Sequence, residues 1–201
     1  MLNSFTNALH ATALIIYTVL VYWSMQAGDP LYTIWIFLTF LFVAILKILG
    51  MIVHLPQVDH VRERHNFFWI LISIGLVFLN YATLIAIHAP LWALVLGMVI
   101  TVGFVVQYIR TLLNDTGHFV WIALAMTLIY LLCTFLTTGM LQLGWICTLI
   151  SQILWIGLER VPYLEERKYH NDIYHFALIG STYLLFKSIE TGLWEVAATT
   201  G

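Results

Sequence analysis

From Phe67 to Ile109 the chain carries no Asp, Glu, Lys or Arg. A helix needs about 20 mostly apolar residues to cross a hydrocarbon core. This run is long enough to cross and return. His88-Ala89-Pro90 splits it into two stretches of spanning length, and a proline is tolerated in the connection because it costs no helix a hydrogen bond there. The rest of the chain has the same character. It has 201 residues, 62% of them hydrophobic and 9% charged, with a mean hydropathy of +0.94. Soluble domains carry about 25% charged residues. The expected fold is therefore an all-α integral membrane bundle. The net charge of −2 argues against a nucleic-acid partner. Cys133 and Cys147 both sit in apolar runs, with neither a disulfide framework nor a metal-binding spacing.

Breaks at proline, glycine and charge divide the chain into seven predicted spans, about 5–26, 31–54, 67–87, 91–112, 118–137, 140–158 and 172–193, in a single domain. The first apolar run has no basic residue before it and is too long for a signal-peptide core, so it is expected to be retained. Lys47, Arg62, Arg64, Arg110, Arg160, Arg167 and Lys168 all fall at one set of span ends, and only Lys187 falls in the other half. The excess of basic residues predicts the N-terminus inside and the C-terminus outside. Trp23, Trp35, Trp92, Trp145 and Trp194 map near the outer ends, and Trp69, Trp121 and Trp155 near the inner ones, as interfacial belts would. A plasma or inner membrane is the expected location.

The histidines follow the same polarity. His10, His54, His60, His65, His118, His170 and His175 map to the inner half, and only His88 to the outer. His60 and His170 read as solvated loop residues. His54 and His175 lie at the inner ends of spans 2 and 7, where an ionisable group is a functional candidate. In "KYHNDIYHF", Asn171, Asp172 and His175 share one helical face, whereas His170 and His175, five apart, do not. Asn171 and Asp172 are also natural caps for the start of the last helix.

"DIYHFALIGS" resembles the last-span motif of the hemolysin III and progestin/adipoQ receptor family, part of a wider group of seven-helix membrane hydrolases that includes the alkaline ceramidases. That family places Ser-x-x-x-His at the inner end of span 2, Asp at the inner start of span 3 and His-x-x-x-His at the start of span 7. His54 falls on the span-2 histidine, with Gly50 in the serine's place. His65 or Asn66 falls where the aspartate belongs. His175 falls on the second histidine of the pair, with Asn171 at the first. The resemblance implies a zinc-dependent hydrolase that cleaves a lipid amide or ester at the cytosolic side. The zinc would be held by His54, His65 and His175, Asp172 would be the acid-base group or fourth ligand, and Asn171 a polar orienter. Catalytic zinc has three protein ligands and an open position for water, and that water titrates near 7. Membrane lipid is then the expected partner.

Other classes remain open at the sequence level. The competing expectation is a non-catalytic protein with the same fold, a receptor-like or scaffold role and no metal. Bis-histidine haem would need facing pairs such as His10 with His54 or His118 with His175. A retinal Schiff base on Lys187 lacks a mid-depth counter-ion, and a local pair with Glu190 explains that lysine better. Asn80, Gln107, Gln142, Ser151 and Gln152 read as interhelical hydrogen-bonding groups. Gly97, Gly103, Gly144 and Gly157 read as close-packing positions.

Overall fold

The computed structural model describes residues 2–24, 31–114, 119–166 and 169–190. His118, Arg167, Lys168 and Trp194 lie outside them, as does the side chain of Glu190. The described residues form seven long helices and two short ones: α1 (Leu2–Ser24), α2 (Leu31–Val53), α3 (Pro56–Asp59), α4 (Arg62–Ala86), α5 (Leu91–Leu113), α6 (Val120–Leu136), α7 (Gly139–Leu158), α8 (Pro162–Glu166) and α9 (Tyr169–Glu190). Five of the long helices, α1, α2, α4, α5 and α7, are long and apolar enough to cross a membrane. Large apolar side chains cover the outside of the bundle, among them Leu91, Val99 and Phe135. A helix that is apolar on its outer as well as its inner face belongs in lipid. The chain is a multi-pass membrane protein.

Each long helix packs on the next, and α9 returns to pack on α1, closing a ring. The first and last helices run in the same direction. Thr6 meets Asp172, Asn7 meets His175, His10 approaches Thr182, and the Tyr17 ring stacks on Phe186 with centroids 4.7 Å apart. Parallel ends are what an odd number of antiparallel helices dictates. The N-terminal ends of α1, α4 and α9 therefore share one end of the bundle with the C-terminal ends of α2, α5 and α7.

The connections show why the chain turns where it does. Pro56 and Pro162 open the short helices α3 and α8, where the missing N–H is no loss. At the end of α4, His88 takes the left-handed conformation (φ 54°). Its N–H donates to Ile85 O (2.9 Å), and the N–H of Ala89 reaches back to Leu84 O (2.9 Å). This is a Schellman closure with histidine in the position glycine usually fills. Pro90, extended at φ −61° and ψ 154°, then starts α5. α7 begins on Gly139 at φ 62°, after two extended threonines.

Polar side chains inside the helices are largely satisfied locally. Thr18, Thr39, Ser73, Thr101, Thr148 and Ser151 each donate to the carbonyl four residues back. Asn80 donates to Thr101 Oγ1 (3.0 Å) across α4 and α5, and Gln142 to Thr134 O (3.0 Å) across α7 and α6. Both act between helices as expected. Two of the four expected glycine contacts exist. A Cβ on Gly97 would come within 2.5 Å of Leu84, and one on Gly144 within 2.6 Å of the Leu185 side chain and 3.2 Å of its backbone nitrogen. Among the described residues nothing lies within 4 Å of a Cβ built on Gly103 or Gly157, so neither sets a helix spacing there. Trp145 is buried against Tyr130 inside the bundle rather than placed in an interfacial belt.

Candidate ligand cavity and its polar end

The ring of helices encloses a cavity of about 760 Å³. Binding sites for small molecules run from about 300 to 1,000 Å³. Its walls follow helical spacing. On α2 they are Val43, Lys47 and Gly50, with His54 in the following turn. On α1 they are Ser4, Asn7, His10 and Leu14, and on α4 His65, Trp69, Ile72, Leu76 and Leu79. On α9 the stripe runs from His170, Asn171, Tyr174 and His175 to Leu178, Thr182 and Leu185. The ionisable groups gather at the end where α1, α4 and α9 begin; farther in the walls are mainly apolar, with Thr39, Asn80, Thr148 and Thr182 also in the lining and hydrogen-bonded to their own neighbours. From His65 to Thr83 the α4 lining extends about 18 residues, roughly 27 Å of helix.

The five residues singled out by sequence all line this cavity, but they do not converge on one point. His54 follows α2, its ring edge-on to Trp69 (6.4 Å between centroids). Burial holds its imidazole below the usual histidine range, against an opposing pull from Asp59. His65 stands on the first turn of α4. Its Nε2 accepts from Trp69 Nε1–H (3.1 Å) and lies 3.6 Å from Asp59 Oδ1. Deeper in, Asp172 and His175 face α1. Thr6 Oγ1–H donates to Asp172 Oδ1 (2.8 Å), and Asn7 Nδ2 lies 2.9 Å from His175 Nε2. Asn171 turns instead toward α7, where its Oδ1 accepts from Trp155 Nε1–H (2.7 Å). His60 is exposed, as expected. His170 is not a solvated loop residue: it is buried on α9, and its Nδ1 lies 3.2 Å from Leu164 O.

The residue that sequence reasoning passed over is Lys47. It lies within α2, six residues before the helix ends and about 9 Å in from that end. Its Nζ is 3.4 Å from His175 Nδ1 and 5.4 Å from the centre of the Tyr174 ring. The Tyr174 hydroxyl in turn donates to Gln152 Oε1 (3.0 Å). The signal was in the sequence. A lysine inside "LFVAILKILGMIV" is an ionisable group within a span, which is a functional candidate by default.

These contacts decide what the cluster can hold. A neutral imidazole offers one acceptor and one donor. With Nδ1 accepting from the Lys47 ammonium, Nε2–H must donate, and the Asn7 amide then presents its oxygen; amide orientation follows from the network. Both nitrogens of His175 are engaged, one of them by a cation. The zinc set His54, His65 and His175 does not fit the metal as arranged. Among the described residues no three His, Cys, Asp or Glu side chains group as a metal ion requires. His10 is fully buried, with Nε2 3.4 Å from Thr182 Oγ1 and Nδ1 facing no hydrogen-bond partner among the described residues.

Comparison with known proteins adds no family: no family model, curated protein or solved structure matches the chain.

Proposed function

We propose that the chain is a seven-helix membrane protein, with its N-terminus and the cavity's polar end at the cytosolic face, that binds a single-chain amphiphile inside the bundle. The observation that carries this is the graded lining of the cavity. The ionisable Lys47, His54, His65 and His175 stand toward one end, and Leu14, Phe40, Leu79 and Leu185 toward the other, where the polar lining residues Thr39, Asn80, Thr148 and Thr182 are hydrogen-bonded to the protein itself. A lipid-like molecule has the same division, and burying its chain against these walls contributes about 25 cal/mol per Å² of apolar surface. Lys47, Arg62, Arg64, Arg110 and Arg160 at the polar end support the orientation. The test is solvent extraction and mass spectrometry of lipids retained by the purified protein. Wild type is expected to retain a single-chain amphiphile, and Leu76→Trp, which obstructs the cavity midway along its apolar part, to retain less of it. Equal retention by both would contradict the reading.

One observation favours a hydrolytic role as a second reading: His54, His65, Asp172 and His175 all line the space in which a lipid would lie. A zinc-dependent amidase or esterase would need those donors to regroup around the metal. Elemental analysis separates the two readings. About one zinc per chain, lost in both His54→Ala and His175→Ala, would support the hydrolase. No retained zinc after incubation with the metal would remove it.

A further inference from the structure

We propose that the cavity selects amphiphiles with an anionic head, a carboxylate or a phosphate, which seats on Lys47. This inference rests on the amphiphile-binding reading and adds the chemistry of the head.

Lys47 is a cation at the boundary between the polar and apolar parts of the lining. It is half-buried and opens on the cavity. An ammonium offers three donors and no acceptor. One is directed to His175 Nδ1, and the Tyr174 ring covers another side. Neither neighbour carries a negative charge that would balance it. Among the described residues no carboxylate lies within ion-pair distance of Lys47. The carboxylates that line the cavity are placed elsewhere. Asp172 accepts from Thr6, Asp59 sits beside His65, and Glu159 follows the end of α7. A charge taken out of water calls for a partner of opposite sign, and an anion entering the cavity supplies one.

The surroundings suit a head rather than a tail. Asn7 stands beside the lysine's partner His175, and Gly50, one turn beyond Lys47 on the same face of α2, leaves the wall low. A Cβ at that position would approach the Asn7 side-chain amide to 3.1 Å. On the side away from the polar end, the lining continues with Leu46 and Val43 on α2, and with Leu14 and Leu178 on the facing helices beyond His10. A head on Lys47 therefore directs its chain into the apolar length of the cavity.

The experiment is native mass spectrometry of the detergent-purified full chain, titrated separately with oleate, 1-oleoyl lysophosphatidate and monooleoylglycerol. The three share one chain and differ in the head. Wild type should bind at least one of the two anionic ligands about tenfold or more tighter than the neutral one, a difference of about 1.4 kcal/mol. Which of the two wins distinguishes carboxylate from phosphate. Lys47→Arg should keep the preference, and Lys47→Met should lose it while still binding monooleoylglycerol. Equal binding of all three by wild type, or an anionic preference that survives in Lys47→Met, would overturn the inference while leaving the amphiphile reading intact. Binding of none would overturn both. The wild-type comparison needs no variant, so a folding defect in Lys47→Met does not shield the proposal.

Discussion

Lys47 Nζ on α2 lies 3.4 Å from Nδ1 of His175 on α9, 128 residues away in the sequence. This contact joins the second helix to the last across the polar end of the cavity. Removing the acceptor should matter more than removing the donor. His175→Ala leaves an ammonium facing space inside the bundle, whereas Lys47→Met replaces it with an apolar chain of similar length. His175→Ala is expected to cost about 1–3 kcal/mol, and the same change made on Lys47→Met is expected to cost less. Thermal unfolding in detergent of the two single variants and the double variant measures the coupling.

His88 closes α4 in a left-handed conformation that disfavours any side chain branched at Cβ. His88→Gly and His88→Val remove the same imidazole contacts and differ in backbone freedom. The glycine variant is expected to be the more stable by about 1–2 kcal/mol. Unfolding midpoints for the pair decide it, and equal midpoints would mean that the strain is absorbed elsewhere.

Gly144 brings α7 against α9 at Leu185, where a Cβ would meet a backbone atom at 3.2 Å as well as the leucine side chain. Gly144→Val should therefore be destabilised by about 1–3 kcal/mol, as overpacked cores are. Gly103→Val, whose added side chain meets open space, is the control and should stay close to wild type. Both are read by thermal unfolding with size-exclusion chromatography.

The helical layout was legible because lipid imposes a simple rule: the charge-free run 67–109 must turn, and His88-Ala89-Pro90 marks the turn. Helix ends were less so. α4 begins at Arg62 rather than near Phe67, since hydropathy marks the apolar stretch and hydrogen bonding continues past it. The short helices α3 and α8 carry too few residues for a periodic signal. At the site, Asp172 and His175, three apart, do share the face toward α1, but Asn171 turns to Trp155 on α7, because successive helical positions lie about 100° apart. The partners of Asp172 and His175 were not readable, because Thr6 and Asn7 approach only when the ring closes, 166 and 168 residues away. Lys47 was visible in sequence but served only as a topological charge, and its place inside the span was the stronger signal.

The most direct test of the account is photo-crosslinking with a single-chain amphiphile that carries a diazirine along its chain, followed by peptide mapping of the purified protein in lipid nanodiscs. Adducts are expected on inward-facing residues of the apolar lining, such as Leu14, Leu79 and Leu185, competed away by an excess of unlabelled amphiphile. Adducts confined to outward-facing residues such as Leu91, Val99 and Phe135, and insensitive to competitor, would contradict it.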